Sequence, residues 1–283
     1  MIVDNLLPAK STFRLFSFGG GVQSVAVMVM QASGKLRSPY DVFAFANVGT
    51  DSENPDTLVY LEQHVKPFAL KHNITLIEVQ KTWFGEPDTL LERLYREQKS
   101  VVIPAKLGGK DGPPGNRNCT QNHKIDVINR LLKQQHLERA ITGLGISMDE
   151  FQRARDTDWH DTYGKRRYGF WLKREYPLID LRLSRHDCVA LIERAGLPIP
   201  PKSSCWFCPF HRHSEWLEMK RTKPELFAQA VELEHELNAK RAAMRRDGAF
   251  LHSSGLPLAT VVGDQLPLWA DVELDCKTGY CMT

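Results

Sequence analysis

The sequence lacks several features that would place it in familiar classes of protein. No apolar run reaches the roughly 18–20 residues needed to cross a membrane, and Met1 to Lys10 lack the basic start and apolar core of a secretion signal. The net charge is only +3 over 283 residues, so any basic surface must be local. Cysteine, with six in the chain, is far below the share found in disulfide-rich scaffolds. We therefore expect a cytoplasmic protein with no membrane partner, whose cysteines bind metal or act in catalysis.

The two commonest phosphate-binding motifs are also missing at the first strand–helix corner, which has neither Gly-Lys-Ser/Thr nor Gly-x-Gly-x-x-Gly. Instead, the run Gly19-Gly20-Gly21 stands between an apolar, aromatic segment and the buried-helix pattern of Val25–Met30, with Ser24 following. Glycines let the backbone turn tightly and approach a ligand, and free N–H groups at a helix start favour an anion. The corner predicts a phosphate site; an ordinary strand–helix turn is the alternative.

Strand and helix patterns alternate along the first two thirds of the chain. Asn54 and Pro55 have the types expected at the cap and first position of a helix, and Ser184 and Asp187 form a capping box. Such alternation predicts a parallel, twisted, Rossmann-like α/β sheet with helices on both faces. The predicted strands are 12–18, 41–50, 74–78, 138–145 and 176–181. We expect a nucleotide-binding domain over 1–198 and a cluster-binding appendage with a long helix and a cysteine tail over 199–283.

The segment from Arg153 to Arg174 is rich in basic and aromatic side chains. Cations interleaved with aromatic rings suit a surface that holds phosphates and stacks bases. A solvated basic loop with core aromatics is the alternative.

The motif Cys205-x-x-Cys208-Pro209 can give two thiolates to one metal site. Zinc completed by His211 or His213 is one candidate, and a redox-active dithiol is another. Cys188 lies in register with the apolar side of its helix, so we assign it to the core.

Four sequence blocks resemble, in the same order along the chain, blocks of the PP-loop (adenine nucleotide alpha-hydrolase-like) superfamily, and in particular of the phosphoadenylyl-sulfate (PAPS) reductase family. The glycine corner is similar to Ser-Gly-Gly-x-Asp-Ser, with Gly19 in place of the first serine and Gln23 in place of the aspartate. Cys119 to Lys124 resembles Cys-Cys-x-x-x-Lys, with Thr120 in place of the second cysteine. The two remaining blocks are Gly143 to Arg153 and the stretch from Pro177 to the Cys-x-x-Cys motif. The resemblance covers most of residues 12–213.

The resemblance implies an adenine nucleotide as ligand and a [4Fe–4S] cluster as cofactor. It is also compatible with Mg²⁺ bound to the nucleotide. The residues it assigns to the nucleotide are Ser17, Gly19, Gly20, Gly21, Gln23, Ser24, Asn47, Asp51 and Gly143. Arg153 would hold the substrate. The cluster ligands would be Cys119, Cys205 and Cys208, with Cys276 or Cys281 as the fourth and the other tail cysteine as the catalytic thiol.

Three functions are open at this point. The first is a PAPS reductase-like enzyme that acts on PAPS or adenylyl sulfate with a thiol reductant. The second is an ATP-dependent sulfurtransferase that takes sulfur from a donor and thiolates tRNA or DNA. The third is a non-catalytic module that senses nucleotide or redox state, suggested by Gln23 in the position of the aspartate. A homodimer is compatible with each.

Overall fold

The structure is a computed structural model, which describes residues 12–96, 100–155, 157–162 and 169–263. Its strands are β1 (Phe13–Phe18), β2 (Val42–Asn47), β3 (Leu76–Gln80), β4 (Thr82–Trp83), β5 (Glu86–Pro87), β6 (Lys106–Leu107), β7 (Arg139–Leu144), β8 (His160–Asp161), β9 (Trp171–Glu175) and β10 (Ala249–Phe250). Its α-helices are α1 (Val22–Ala32), α2 (Pro55–Tyr60), α3 (Lys66–Lys71), α4 (Leu90–Arg96), α5 (Asn118–Thr120), α6 (Asp126–Gln134), α7 (Pro177–Asp180), α8 (Arg185–Arg194), α9 (His213–Thr222), α10 (Pro224–Ala243) and α11 (Leu258–Val261). Two π-helical segments (Leu61–Val65 and Gln121–Ile125) and a 3₁₀ helix (Met148–Arg153) are also present.

The central sheet has six strands in the order β3-β2-β1-β7-β9-β8. The pairs along β3, β2, β1, β7 and β9 are all parallel, and only the short edge strand β8 runs antiparallel. The predicted α/β class with a mostly parallel sheet is confirmed. In such a sheet ligands bind beyond the carboxyl ends of the strands.

Both faces of the sheet are covered, as the alternation along β1 requires. Phe16 and Phe18 point into a cluster with α1 and α8, and this cluster contains the fully buried Cys188 predicted for the core. Phe13 and Leu15 point to the opposite face, against Ile128 and other residues of α6.

A third apolar cluster joins residues that lie on both sides of position 198. Leu90 and the segment Val101–Ala105 pack with Trp206, Trp216 and Leu233. The described part of the segment after residue 198, which we expect to be a cluster-binding appendage, therefore shares a core with the earlier part of the chain. None of the helices in the described ranges is long and apolar enough to cross a membrane.

The last predicted strand, 176–181, is wrong, because Pro177–Asp180 forms the helix α7. Pro177 occupies the first helical position, where its missing N–H costs nothing, and Leu178 is fully buried. The strand lies just before it, at Trp171–Glu175, inside the segment that we had interpreted as a basic surface. Leu172 and Phe170 there are buried, so part of that segment belongs to the core.

Candidate active site

A cavity of about 490 Å³ opens at the carboxyl ends of the central strands. The corner between β1 and α1 forms one wall, and the loop after β7 forms another. Cys119, Cys205 and Cys208 line the same cavity. The fold therefore brings the predicted phosphate corner and the predicted cysteine group together.

The corner has a rigid geometry set by its glycines. Gly20 has a φ of +76°, which side-chain-bearing residues rarely adopt, and it is buried. Gly21 is the N-cap of α1 in an extended conformation. The Ser24 hydroxyl donates to the carbonyl of Gly21 at 2.9 Å, and the Ser203 hydroxyl donates to that of Gly19. Because the first N–H groups of a helix have no partner within it, this corner can receive phosphate oxygens.

Three segments hold the cysteines in place. The amide of Cys119 donates to the carbonyl of Val102 at 2.8 Å. Cys205 pairs with Glu53 in an isolated antiparallel bridge. The indole of Trp206 donates to the carbonyl of Asp51 at 2.6 Å, next to that bridge. Packing of the Cys-x-x-Cys loop on residues 51–53 thus fixes two of the thiols, and the segment before α5 fixes the third.

The pKa values of the cysteine thiols and of Lys124 are shifted by burial and by the charges of neighbouring groups. Burial raises the pKa of Cys205 well above its usual value, and the charge of Glu53 raises it further. Burial also raises the pKa of Cys119. Burial alone would lower the pKa of Lys124, but the negative charges of Glu53, then of Cys205, Cys119 and Cys208, raise it overall. Lys124 is therefore a cation surrounded by the three thiols and one carboxyl.

The donor set fits an iron–sulfur cluster. Thiolates are the ligands such clusters use, and a bound cation reverses the effect of burial by favouring the deprotonated thiol. Cys119, Cys205 and Cys208 are the residues that would hold it. No three His, Cys, Asp or Glu side chains in the described ranges are grouped so as to hold a single metal ion.

The histidines proposed as zinc ligands have other partners. Nε2 of His211 lies 3.0 Å from the carbonyl oxygen of Cys205, and its Nδ1 lies 3.5 Å from Glu215. Nδ1 of His213 lies 3.3 Å from Nε2 of His252. Neither His211 nor His213 lines the cavity, so His211 supports the backbone of the cysteine loop.

The cavity is strongly basic. Glu150 is the only acidic residue that lines it in the part of the chain that the structure describes, and it is paired with Arg153 at 2.7 Å. The lining contains seven basic residues, Arg117, Lys124, Arg153, Arg155, Arg174, Arg185 and Lys202. This excess of positive charge favours a ligand with several phosphates.

The predicted nucleotide residues divide into two groups. Those that line the cavity are Ser17, Gly19, Gly21, Gln23 and Ser24. Those that do not are Gly20, Asn47, Asp51 and Gly143. Gly143 packs against the ring of Tyr40, which a Cβ there would meet at 2.4 Å. The Asn47 amide donates to Glu78 at 2.6 Å, and Asp51 accepts from Thr89 at 2.8 Å.

Sequence reasoning found Arg153, which lines the cavity, but missed several of its neighbours. Arg117, Arg185 and Lys202 lie in three separate segments, and no local pattern links them. Arg185 donates to the Gln23 side chain at 3.1 Å, so the residue that replaces the aspartate is tied to a cation. Cys276 and Cys281 lie outside the described residues.

Comparison with known proteins gives distant structural likenesses but no match in sequence. No family model matches the chain, and no curated protein matches it in sequence. Among solved structures, the U34-tRNA thiolase NcsA from Methanococcus maripaludis with its [4Fe-4S] cluster aligns with a TM-score of 0.43 and 13% identity. The alignment covers 81% of this chain and 72% of that one. At this level the likeness establishes neither a common fold nor a common activity.

Proposed function

We propose that this chain is an ATP-dependent sulfurtransferase that thiolates a nucleic acid. The observation that carries the proposal is that the glycine corner and the three cysteines line one cavity. A site that binds nucleotide phosphates and a site that handles sulfur are then within reach of the same acceptor. The resemblance to the PP-loop superfamily, given by the order of its blocks, supports the same class of chemistry.

The reaction would have two steps. An oxygen of the acceptor attacks the α-phosphorus of ATP, which forms an adenylated acceptor and releases pyrophosphate. Sulfur then attacks the adenylated carbon or phosphorus, and AMP leaves with the original oxygen. When bound at the three cysteines, a [4Fe–4S] cluster would supply an iron that can hold this sulfur.

The protein's own groups have separate tasks in this scheme. The corner at Gly19–Gly21 binds phosphate through backbone N–H groups. Arg174 and Arg185 can neutralise the charge that develops on the phosphates, since guanidinium groups hold such oxygens in a bidentate manner. Lys124 provides positive charge beside the sulfur.

The excess of cations favours a polynucleotide acceptor over a small one. A single nucleotide engages only part of a lining with seven basic residues and one acidic residue. A nucleic-acid backbone supplies further phosphates, and its binding must weaken as salt rises because counterions are released.

The test combines activity with binding. Anaerobically reconstituted protein is given ATP, labelled sulfide and either unmodified tRNA or DNA. We expect AMP and pyrophosphate release together with label in the polynucleotide. Arg155→Gln, which removes an exposed arginine of the cavity lining with no assigned role on ATP, should weaken polynucleotide binding and reduce the salt slope by about 1. The matched control is Arg130→Gln, which removes an exposed arginine on α6 that does not line the cavity. No labelled product with either nucleic acid would contradict the proposal.

A PAPS reductase-like activity is the second candidate, because Gln23 replaces the acidic residue of the resembled motif and is hydrogen-bonded to Arg185. In that case a cysteine thiolate attacks the sulfur of PAPS, and adenosine 3′,5′-bisphosphate leaves. A thiol reductant then attacks the cysteine sulfur of the resulting thiosulfonate, which releases sulfite and forms a disulfide. The same preparation, given PAPS and a thiol reductant, should then release sulfite without ATP. Sulfite release without nucleic-acid labelling would favour this candidate.

A further inference from the structure

Glu53 is a buried carboxylate with no hydrogen bond from any described residue. Its side chain is 0% exposed, and neither of its oxygens has a hydrogen-bond partner. An ionised carboxylate in such a place is costly unless something compensates it. Within the ranges that the structure describes, the cation paired with it is Lys124, whose Nζ lies 3.8 Å from Oε1 of Glu53.

The backbone places Glu53 directly behind the cysteine group. Glu53 and Cys205 face each other in an antiparallel bridge. Residues that face each other in this way point to the same side, with Cβ atoms about 5 Å apart. Lys124 lines the cavity together with the three cysteines, whereas Glu53 does not line it. The carboxylate therefore lies on the buried side of the cysteine group, and the ammonium group lies on its cavity side.

Stabilisation of the fold does not explain why the Glu53–Lys124 pair is buried beside the cysteine group. Buried pairs contribute little to stability on balance, and apolar replacements of similar volume are often neutral or better. This pair also lies beyond hydrogen-bonding distance, so the carboxylate has not gained the contacts that would offset its desolvation. Its position beside the cysteines indicates an electrostatic effect on a group bound there.

We infer that Glu53 is a positioning residue, which holds the Lys124 ammonium group against the sulfur site and thereby sets the charge balance of the group bound there. The inference rests on the cluster assigned under the proposed function. A fixed positive charge next to the cysteines favours the form of the bound group that carries one more electron, so it raises the reduction potential. Glu53 does not line the cavity, so it would act by holding Lys124 in place, in addition to the direct effect of its own charge on the buried side of the cysteine group.

The test is a double-mutant cycle on the reduction potential of the reconstituted cluster. Lys124→Met removes the charge but keeps a chain of similar length, and it should lower the potential. Glu53→Gln keeps the shape, but it removes a negative charge beside Cys205, which should raise the potential, and it frees the Lys124 ammonium group, which should lower it. In the Lys124→Met background only the first effect is left, so the same substitution should raise the potential by more there. An equal shift in both backgrounds would overturn the inference, because Glu53 would then act independently of Lys124.

A second buried ion pair, away from the cavity, serves as a control. It distinguishes an effect of location beside the cysteines from the general effect of losing a buried ion pair. Lys81 and Asp88 form such a pair at 2.5 Å, both are buried, and neither lines the cavity. Asp88→Asn should lower the resistance to urea without moving the reduction potential. A shift of the potential as large as that from Glu53→Gln would contradict a specific role for Glu53.

The pairing can be checked without iron, so this inference and the proposed function can fail separately. Unfolding of metal-free protein should show that the double variant is more stable than Lys124→Met alone, because the single variant leaves the buried carboxylate without its cation. Strict additivity would mean that the two side chains are not coupled. Absence of iron from the wild-type protein after anaerobic reconstitution would instead contradict the proposed cofactor.

Discussion

Two adjacent glycines at the β1–α1 corner should respond to the same substitution in opposite ways. A Cβ at Gly21 would meet only the Cβ of Ser203, at an ordinary 3.7 Å. Because φ at Gly21 is −96°, alanine fits the backbone there. The added methyl group would stand at the cavity wall, where a phosphate must approach the helix start.

Alanine at Gly20 should lower the stability of the fold, whereas alanine at Gly21 should not. Its φ of +76° costs a side-chain-bearing residue about 1–2 kcal/mol, and the new Cβ would lie 3.1 Å from Cγ2 of Thr57. Gly20→Ala should therefore lower the free energy of unfolding by roughly 1–3 kcal/mol. Gly20→Val would strain the fold in the same way, so a substitution at Gly20 is not a clean test of phosphate binding.

The expected loss of binding in Gly21→Ala follows from the contacts that the methyl group blocks. A hydrogen bond to a charged group contributes about 1.5–3 kcal/mol, so ATP affinity should fall about ten- to hundredfold. The free energy of unfolding should change by less than about 1 kcal/mol, because a lost N-cap preference and a reduced entropy of the unfolded chain offset each other. Calorimetric titration with ATP and urea unfolding measure the two quantities. A folded Gly21→Ala protein with unchanged ATP affinity would refute the phosphate site at this corner.

Two further predictions concern stability. The pKa values of His123 and His252 are lowered to about 4, by burial first and then by the nearby positive charge of Lys81 and the neighbouring His213, respectively. The unfolded chain therefore binds more protons than the folded protein between pH 6.5 and 4. The free energy of unfolding should be highest above this window and should fall as pH drops through it, by about 3 kcal/mol per histidine. A free energy of unfolding in urea that does not vary with pH would contradict this. Phe84→Asn should stabilise the protein by roughly 0.5–1 kcal/mol, because Phe84 is 93% exposed at a hairpin tip with φ of +50°. A lower melting temperature for that variant would show that the edge-to-face contact of the Phe84 ring with Trp83, at 5.2 Å between centroids, outweighs the relief of the backbone.

The sheet was predictable where apolar periodicity and turn chemistry agree. Strands β1, β2 and β7 follow from short apolar runs, and the cap at Ser184 and the helix end at Gly196 follow from side chains with specific backbone preferences. The prediction failed at Tyr176–Leu181, where a run of apolar residues is equally compatible with a buried helical turn. Only the pairing of β9 with β7 decides between the two.

The site was predictable to the extent that its residues lie in local motifs. The glycine corner and Cys205-x-x-Cys208 are such motifs, and Cys119 joins them through the order of the resembled blocks. Glu53 and Lys202 have no local signature, since their relation to the site arises from chain segments that meet in space. The basic character of the cavity has the same origin, because its cations come from several elements of a chain with a net charge of only +3.

The most direct test of the account is the iron content of matched cysteine variants after anaerobic reconstitution. Cys119 is 86 positions from Cys205, yet both line the cavity beside the glycine corner, whereas Cys188 is fully buried in a different cluster. We predict that Cys119→Ser loses most of its iron and the broad absorbance near about 400 nm that such clusters give, while Cys188→Ser keeps both. A full cluster in Cys119→Ser, or one equivalent of zinc in place of iron in the wild-type protein, would contradict a cluster shared by the three cysteines.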